Sequence, residues 1–171
     1  ENYFGEEDHV RELIQKNGDS LVGQQISSIN VTDLEMLVNT NPWVENAEVY
    51  MGINGKVKID IIQREPLARI MNTKGESFYL DRKGKLLSWS STFSTRVILV
   101  NGSIQETYNQ NYITSFAGKD ELLEKTALDE VFALVTYIDQ DTLWKAQFEQ
   151  IYVNDAHEFE LIPKIGDHRI L

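Results

Sequence analysis

The chain has no cysteine. That excludes a disulfide framework, thiol catalysis and cysteine-ligated zinc, and it leaves the compartment open. No apolar run approaches the roughly 20 residues a membrane helix needs, and no signal peptide is visible. Basic residues are in the minority: Lys and Arg number 16 against 27 Asp and Glu, for a formal net charge of −11 and a pI near 4.7. Phosphate backbones are bound by clustered Lys and Arg, so nucleic acid is excluded as a partner, and so is docking on an anionic membrane surface. The excess of acid reads as solubility. Internal repeats and low-complexity tracts are also lacking.

Catalytic signatures are missing as well. No His-Glu-x-x-His spacing, Gly-x-Ser-x-Gly elbow or glycine-rich phosphate loop occurs. The histidines are His9, His157 and His168. Asp155, His157 and His168 are the one imaginable metal set, weighed against three solvent-exposed turn residues, which is the reading adopted. Ser88, Ser90, Ser91 and Ser94 form a loop with no base near in sequence. The acids lie on polar faces and helix starts, where solvation accounts for them. The reading is therefore no enzyme, no metal and no cofactor.

What the chain does have is globular: 171 residues, 42% hydrophobic and 10% aromatic. Val10, Leu13 and Ile14 fall at helical spacing behind an acidic first turn of Glu6, Glu7 and Asp8, and Gly18 follows as a stop. Leu21, Val22, Ile26 and Ile29 order a connector. Asn30 or Thr32 caps a second helix whose apolar face is Leu34, Leu37 and Val38. Pro42 would not continue it. Ala47, Val49 and Met51 then alternate with Glu48 and Tyr50, as in a half-buried strand. Gly52, Asn54 and Gly55 supply a reversal. Val57, Ile59 and Ile61 alternate with Lys58 and Asp60 in a second strand. Gln63-Arg64-Glu65-Pro66 closes the ladder, because Pro66 lacks a donor.

The pattern changes after Pro66. Short β-rich segments at 67–71, 77–80, 85–89 and 96–100 are separated by turn chemistry, which reads as an antiparallel sheet. A polar stretch with Tyr108, Tyr112 and Phe116 follows. Leu128, Val131, Phe132, Val135 and Ile138 make one helical stripe. Strands resume at 148–153, 158–162 and 168–171.

These pieces carry a family resemblance. The Asn41-Pro42-Trp43-Val44 opening, the amphipathic hairpin and the Arg64-Glu65-Pro66 close resemble the POTRA domain of the bacterial cell-division family FtsQ, called DivIB in Gram-positives. The segment from Gly75 to Leu87, with its Tyr79-x-Asp81-x-x-Gly84 core, resembles the hairpin that opens that family's β domain. Gln150 to Val153 and Glu160 to His168 resemble its later strands, in the form seen in Bacteroidetes. The resemblance implies an α+β chain. A POTRA-like domain of two helices on a small sheet spans 1–66, with its first strand missing. A β-rich antiparallel domain with one helix spans 67–171, with its C-terminal part missing. Residues 1–5 are native or a tag remnant and enter no argument.

By function, the resemblance implies a divisome scaffold on the periplasmic side of the inner membrane, at the septum. It would be anchored by an N-terminal membrane helix absent from this chain. Its partners would be FtsB-like and FtsL-like membrane proteins and, through them, septal peptidoglycan synthesis enzymes. The rivals are a POTRA module of outer-membrane assembly or secretion, and a cell-wall hydrolase. Trp43 reads as a core or interdomain plug or as a partner contact. Arg64, Glu65 and Pro66 read as interdomain fixtures or as a partner contact. An open sheet edge would take an extended partner segment by strand addition. The candidate edge is Glu158, Phe159, Glu160, Leu161 and Ile162, with Phe159 and Leu161 on one face and Glu158 and Glu160 on the other.

Overall fold

The computed structural model describes residues 6–16, 25, 28–89, 95–114 and 126–166. The chain divides into two compact units, Glu1–Arg64 and Glu65–Leu171. The expected stop at Gly18, the connector residues Leu21, Val22 and Ile26, the serines at 90, 91 and 94, Phe116 and the strand expected at 168–171 lie outside the described residues.

In the first unit, helices α1 (Glu6–Lys16) and α2 (Val31–Asn39) precede strands β1 (Val44–Met51) and β2 (Val57–Gln63). Asn30 caps α2: its side-chain oxygen accepts from the N–H groups of Thr32 at 3.1 Å and Asp33 at 3.4 Å, two donors the helix cannot satisfy itself. Leu34 and Val38, one turn apart, then face the hairpin. With Ile14, Val44, Ala47 and Val49 they form this unit's core. The alternation of β1 is what makes that possible, since Ala47 and Val49 are buried while Glu48 and Tyr50 are exposed. The antiparallel register sets Glu48 opposite Asp60 and Tyr50 opposite Lys58.

The second unit carries strands β3 (Pro66–Met71), β4 (Ser77–Asp81), β5 (Leu86–Ser88) and β6 (Ile98–Gly102). Helices α3 (Ala127–Gln140) and α4 (Thr142–Gln147) follow, and then β7 (Phe148–Val153) and β8 (Phe159–Pro163). The α+β class holds, but two expectations are corrected. The six-stranded sheet, ordered β5-β4-β3-β6-β7-β8, is mixed rather than antiparallel, because β6 pairs parallel with both β3 and β7. A parallel neighbour requires a crossover, and α3 lies in the one between β6 and β7. This unit also holds a second, short helix, α4, beside the expected one. Pro66 does close the first hairpin's sequence, yet it is itself the first residue of β3, a strand position that tolerates a missing donor.

The stripe on α3 is buried as its spacing demands. Leu128, Val131, Phe132, Val135 and Ile138 pack with Ile70, Val100 and Ile151 of the sheet. Thr126 starts the helix with a reciprocal cap, its backbone N–H donating to Asp129 at 2.7 Å while the Asp129 N–H donates to the Thr126 hydroxyl at 3.3 Å.

Three tight hairpins share one plan. Asn72, Asp81 and Asn154 each accept, through a side-chain oxygen, from the N–H groups two and four residues on: Lys74 and Glu76, Lys83 and Lys85, Ala156 and Glu158. The fourth loop residue has positive φ in each case, Gly75 at 80°, Gly84 at 77° and His157 at 60°. An Asx side chain thus replaces backbone partners in the turn.

Gly102 ends β6 at φ 109°, where an added Cβ would meet the Val153 carbonyl oxygen at 2.1 Å. The next residue, Ser103, donates its N–H to that same oxygen at 2.7 Å. Neither the backbone angle nor the space admits a side chain. Gly102→Ala is therefore expected to destabilise the second unit by about 3 kcal/mol or more. Urea unfolding checks this; an unchanged midpoint would contradict the close approach.

Candidate functional site

Among the described residues, β8 forms one edge of the six-stranded sheet. Asn154 donates its N–H to the Glu158 carbonyl at 3.0 Å, so these two residues face each other as a hydrogen-bonded pair. Alternation makes Tyr152 and Glu160 the next such pair, with Val153 and Phe159 a non-bonded pair between them. Phe159 and Leu161 therefore aim their backbone N–H and C=O groups away from β7. Pro163 has the same outward parity, since Lys164 donates its N–H to the Gln147 carbonyl at 2.7 Å. It brings no donor to the edge.

The side chains of β8 divide accordingly. Phe159 and Leu161 belong to the core, Leu161 buried and Phe159 packed against it. Glu160 and Ile162 lie on the opposite face, across from Tyr152 and Gln150. Tyr152 is exposed there. Glu158 lies just before β8 rather than in it. Among the described residues the sheet's other edge, β5, is only three residues long, and Lys85 just before it bridges to Ile113. Backbone groups at β8 are thus the more extended row available for strand addition.

The second group of candidates divides at the unit boundary. Trp43 is buried, at 3% exposure, and its carbonyl accepts from the Arg64 N–H at 2.9 Å. In the second unit, Pro66 is buried and Glu65 exposed. Glu65 is held twice by Arg82, whose N–H donates to the Glu65 carbonyl at 3.1 Å and whose Nε donates to its carboxylate at 2.9 Å. The same guanidinium reaches Asp139 near the end of α3 with both terminal nitrogens. Lys145 of α4 adds a contact to Asp139 at 2.7 Å. Sequence reasoning missed this network. Arg82 and Asp139 are 57 positions apart, and no local pattern links them.

Of the other two tryptophans, Trp89 is 48% exposed. Trp144 is half-buried and meets Tyr137 and Phe148 edge-on, with ring centroids 5.7 and 5.6 Å away. His9 lies in α1, and His157 and Asp155 lie in the exposed β7–β8 turn, while His168 is outside the described residues. Among the described residues no three His, Cys, Asp or Glu side chains gather as a metal site. No described helix is long and apolar enough to cross a membrane.

The electrostatics of the Arg82 network give it a pH signature. Burial alone would raise the Asp139 carboxyl. Hydrogen bonds and charge from Arg82 and Lys145 outweigh it and hold the group below the usual carboxylate range. A carboxyl depressed in the folded state stabilises the fold above its unfolded pKa, about 3.9. That contribution is lost as pH falls through the folded value. Asp139→Asn is expected to cost about 1 kcal/mol at neutral pH, because the partner cations are partly solvated. It should also flatten the loss of stability in acid. Thermal melts between pH 7 and pH 3 check this, and parallel curves for parent and variant would contradict it.

Comparison with known families follows this division of the chain. No curated protein matches it. Residues 1–62 match the family model of the POTRA-like domain, covering the helix pair and the β1–β2 hairpin but for Gln63, the last residue of β2. Residues 65–171, more than half of the chain, match the model described as FtsQ/DivIB, C-terminal related, which takes in the whole mixed sheet and its edge strand β8. Two helices on a hairpin followed by this sheet, matched in that order, make the chain a member of the FtsQ/DivIB family of divisome-associated proteins.

Proposed function

We propose that the chain is the extracytoplasmic part of a non-enzymatic divisome scaffold, held on the periplasmic side of the inner membrane by a membrane helix upstream. It recruits FtsB-like and FtsL-like membrane partners at the septum and, through them, the enzymes of septal peptidoglycan synthesis. Both matched families consist of scaffold domains. The carrying observation is the β8 edge, where Phe159 and Leu161 present backbone groups outward while their side chains anchor the strand in the core. A preformed edge of this kind accepts an extended partner segment with little reorganisation. Trp43, Arg64, Glu65 and Pro66 take structural roles in this reading: Trp43 and Pro66 are buried, and Glu65 is engaged by Arg82.

The register specifies the test. Phe159→Pro and Phe159→Ala both remove the aromatic ring, but only proline removes the outward N–H. One hydrogen bond contributes about 1 kcal/mol net, or about fivefold in affinity. Calorimetry with a peptide covering the extracytoplasmic segment of the FtsB-like partner is expected to show Phe159→Pro weaker than Phe159→Ala by about that factor. Glu160→Pro removes an inward donor to β7 and is expected to lower the stability of the fold instead. Equal affinities for the two Phe159 variants would place the binding surface away from β8.

A further inference from the structure

The first unit has an edge that its own helix closes. The Gly52 N–H donates to the Lys56 carbonyl at 2.8 Å. By alternation Tyr50–Lys58 and Glu48–Asp60 are the bonded pairs of the β1–β2 ladder. Ala47 and Val49 then point their backbone groups away from β2, toward what would be the next strand. No strand lies there among the described residues. Two side chains of α2 do. Asn39 accepts from the Ala47 N–H at 3.0 Å, and its amide nitrogen donates back to the Ala47 carbonyl at 3.4 Å. Glu35 accepts from the Val49 N–H at 3.2 Å.

The geometry is matched to a strand repeat. Residues four apart on a helix rise about 6 Å, and residues two apart on a strand advance about 6.6 Å. Glu35 and Asn39 therefore meet Val49 and Ala47 in step, with the helix running antiparallel to β1. The carboxamide of Asn39, which both donates to and accepts from one residue, reproduces the paired contact that a neighbouring antiparallel strand would make. It is itself steadied by a bond from its nitrogen to the Glu35 carbonyl at 2.9 Å. The apolar face of α2, Leu34 and Val38, holds the helix on the hairpin, so these two polar side chains are not needed for that packing and can serve the edge.

We infer that Glu35 and Asn39 act as a strand substitute that closes the β1 edge to an extended segment, including β1 of a second copy of this chain. The closure confines strand addition to other edges. It does not depend on which partner β8 takes, so its test is separate.

The experiment uses the full chain with Glu35→Ala and Asn39→Ala combined. Amide exchange followed by NMR should accelerate at least tenfold at Ala47 and Val49 in dilute solution. Glu48 and Tyr50, bonded to β2, should keep their protection and so report that the hairpin is intact. Raising the concentration should then produce self-association by sedimentation, with protection returning at Ala47 and Val49. Unchanged exchange at those two amides would overturn the inference. So would accelerated exchange in a chain that stays monomeric at millimolar concentration. If the double variant loses protection throughout the hairpin, Glu35→Ala and Glu35→Gln decide the matter. The first should expose Val49 alone, and the second, which keeps an acceptor, should not; equal behaviour of the two would count against the closure.

Discussion

The second unit depends on the parallel pairing of one five-residue strand. Without β6 the sheet would be two separate antiparallel ladders, β5-β4-β3 and β7-β8. β6 joins them by pairing Ala68 with Ile98 and Ile70 with Val100 on one side, and Val100 with Ile151 and Gly102 with Val153 on the other. Because both neighbours run parallel to it, the chain must cross over after it, and α3 lies on that path with its apolar stripe on the sheet. The burial of Val100, with none of its surface exposed, follows from lying in the middle strands under that helix. Gly102 completes the joint: only a residue without Cβ lets the chain turn away at Val153.

Much of this was legible from local pattern, and most of what was missed is non-local. The period-2 alternation of β1 and the stripe of α3 gave those elements directly, because each buries one face. Two of the three Asx hairpins were legible as turns through Gly75 and Gly84. The third was also legible as a turn, through Asp155 and His157, but its positive φ was not, since His157 takes that position without being glycine; histidine is one of the residues that tolerates that region. Strand direction was not legible. Pairing partners are distant in sequence, and the one local cue, the unbroken run Val97-Ile98-Leu99-Val100, reads equally as an ordinary short strand. The bond between Arg82 and Asp139 was out of reach for the same reason, since it joins a turn to a helix end that nothing local relates.

The sheet edges are treated in different ways, and each treatment follows from residue chemistry. At β1, helix side chains take the place of a strand. At β5 the strand is cut to three residues and flanked by the Lys85–Ile113 bridge. Among the described residues, the row at β8 is left open at Phe159 and Leu161 and stopped at Pro163. Short edges, prolines and covering helices are the means by which sheets avoid indiscriminate pairing.

An open row this short sets a limit on what backbone pairing alone can do. Two outward residues on β8 offer about four hydrogen bonds, each contributing about 1 kcal/mol net. Their sum of about 4 kcal/mol corresponds to millimolar binding, before any cost of ordering the partner. A scaffold that used only this row would not discriminate among extended chains, since every peptide has the same backbone. If β8 takes a partner as proposed, affinity and choice of partner must therefore come from side chains beside the row. The face opposite the core is where they are available: Tyr152, exposed, lies across from Glu160, and Ile162 across from Gln150. An added strand would set every second side chain next to that face. In the proposed strand addition, backbone pairing on β8 would fix the register, and the aromatic and acidic neighbours on β7 and β8 would decide which segment fits it.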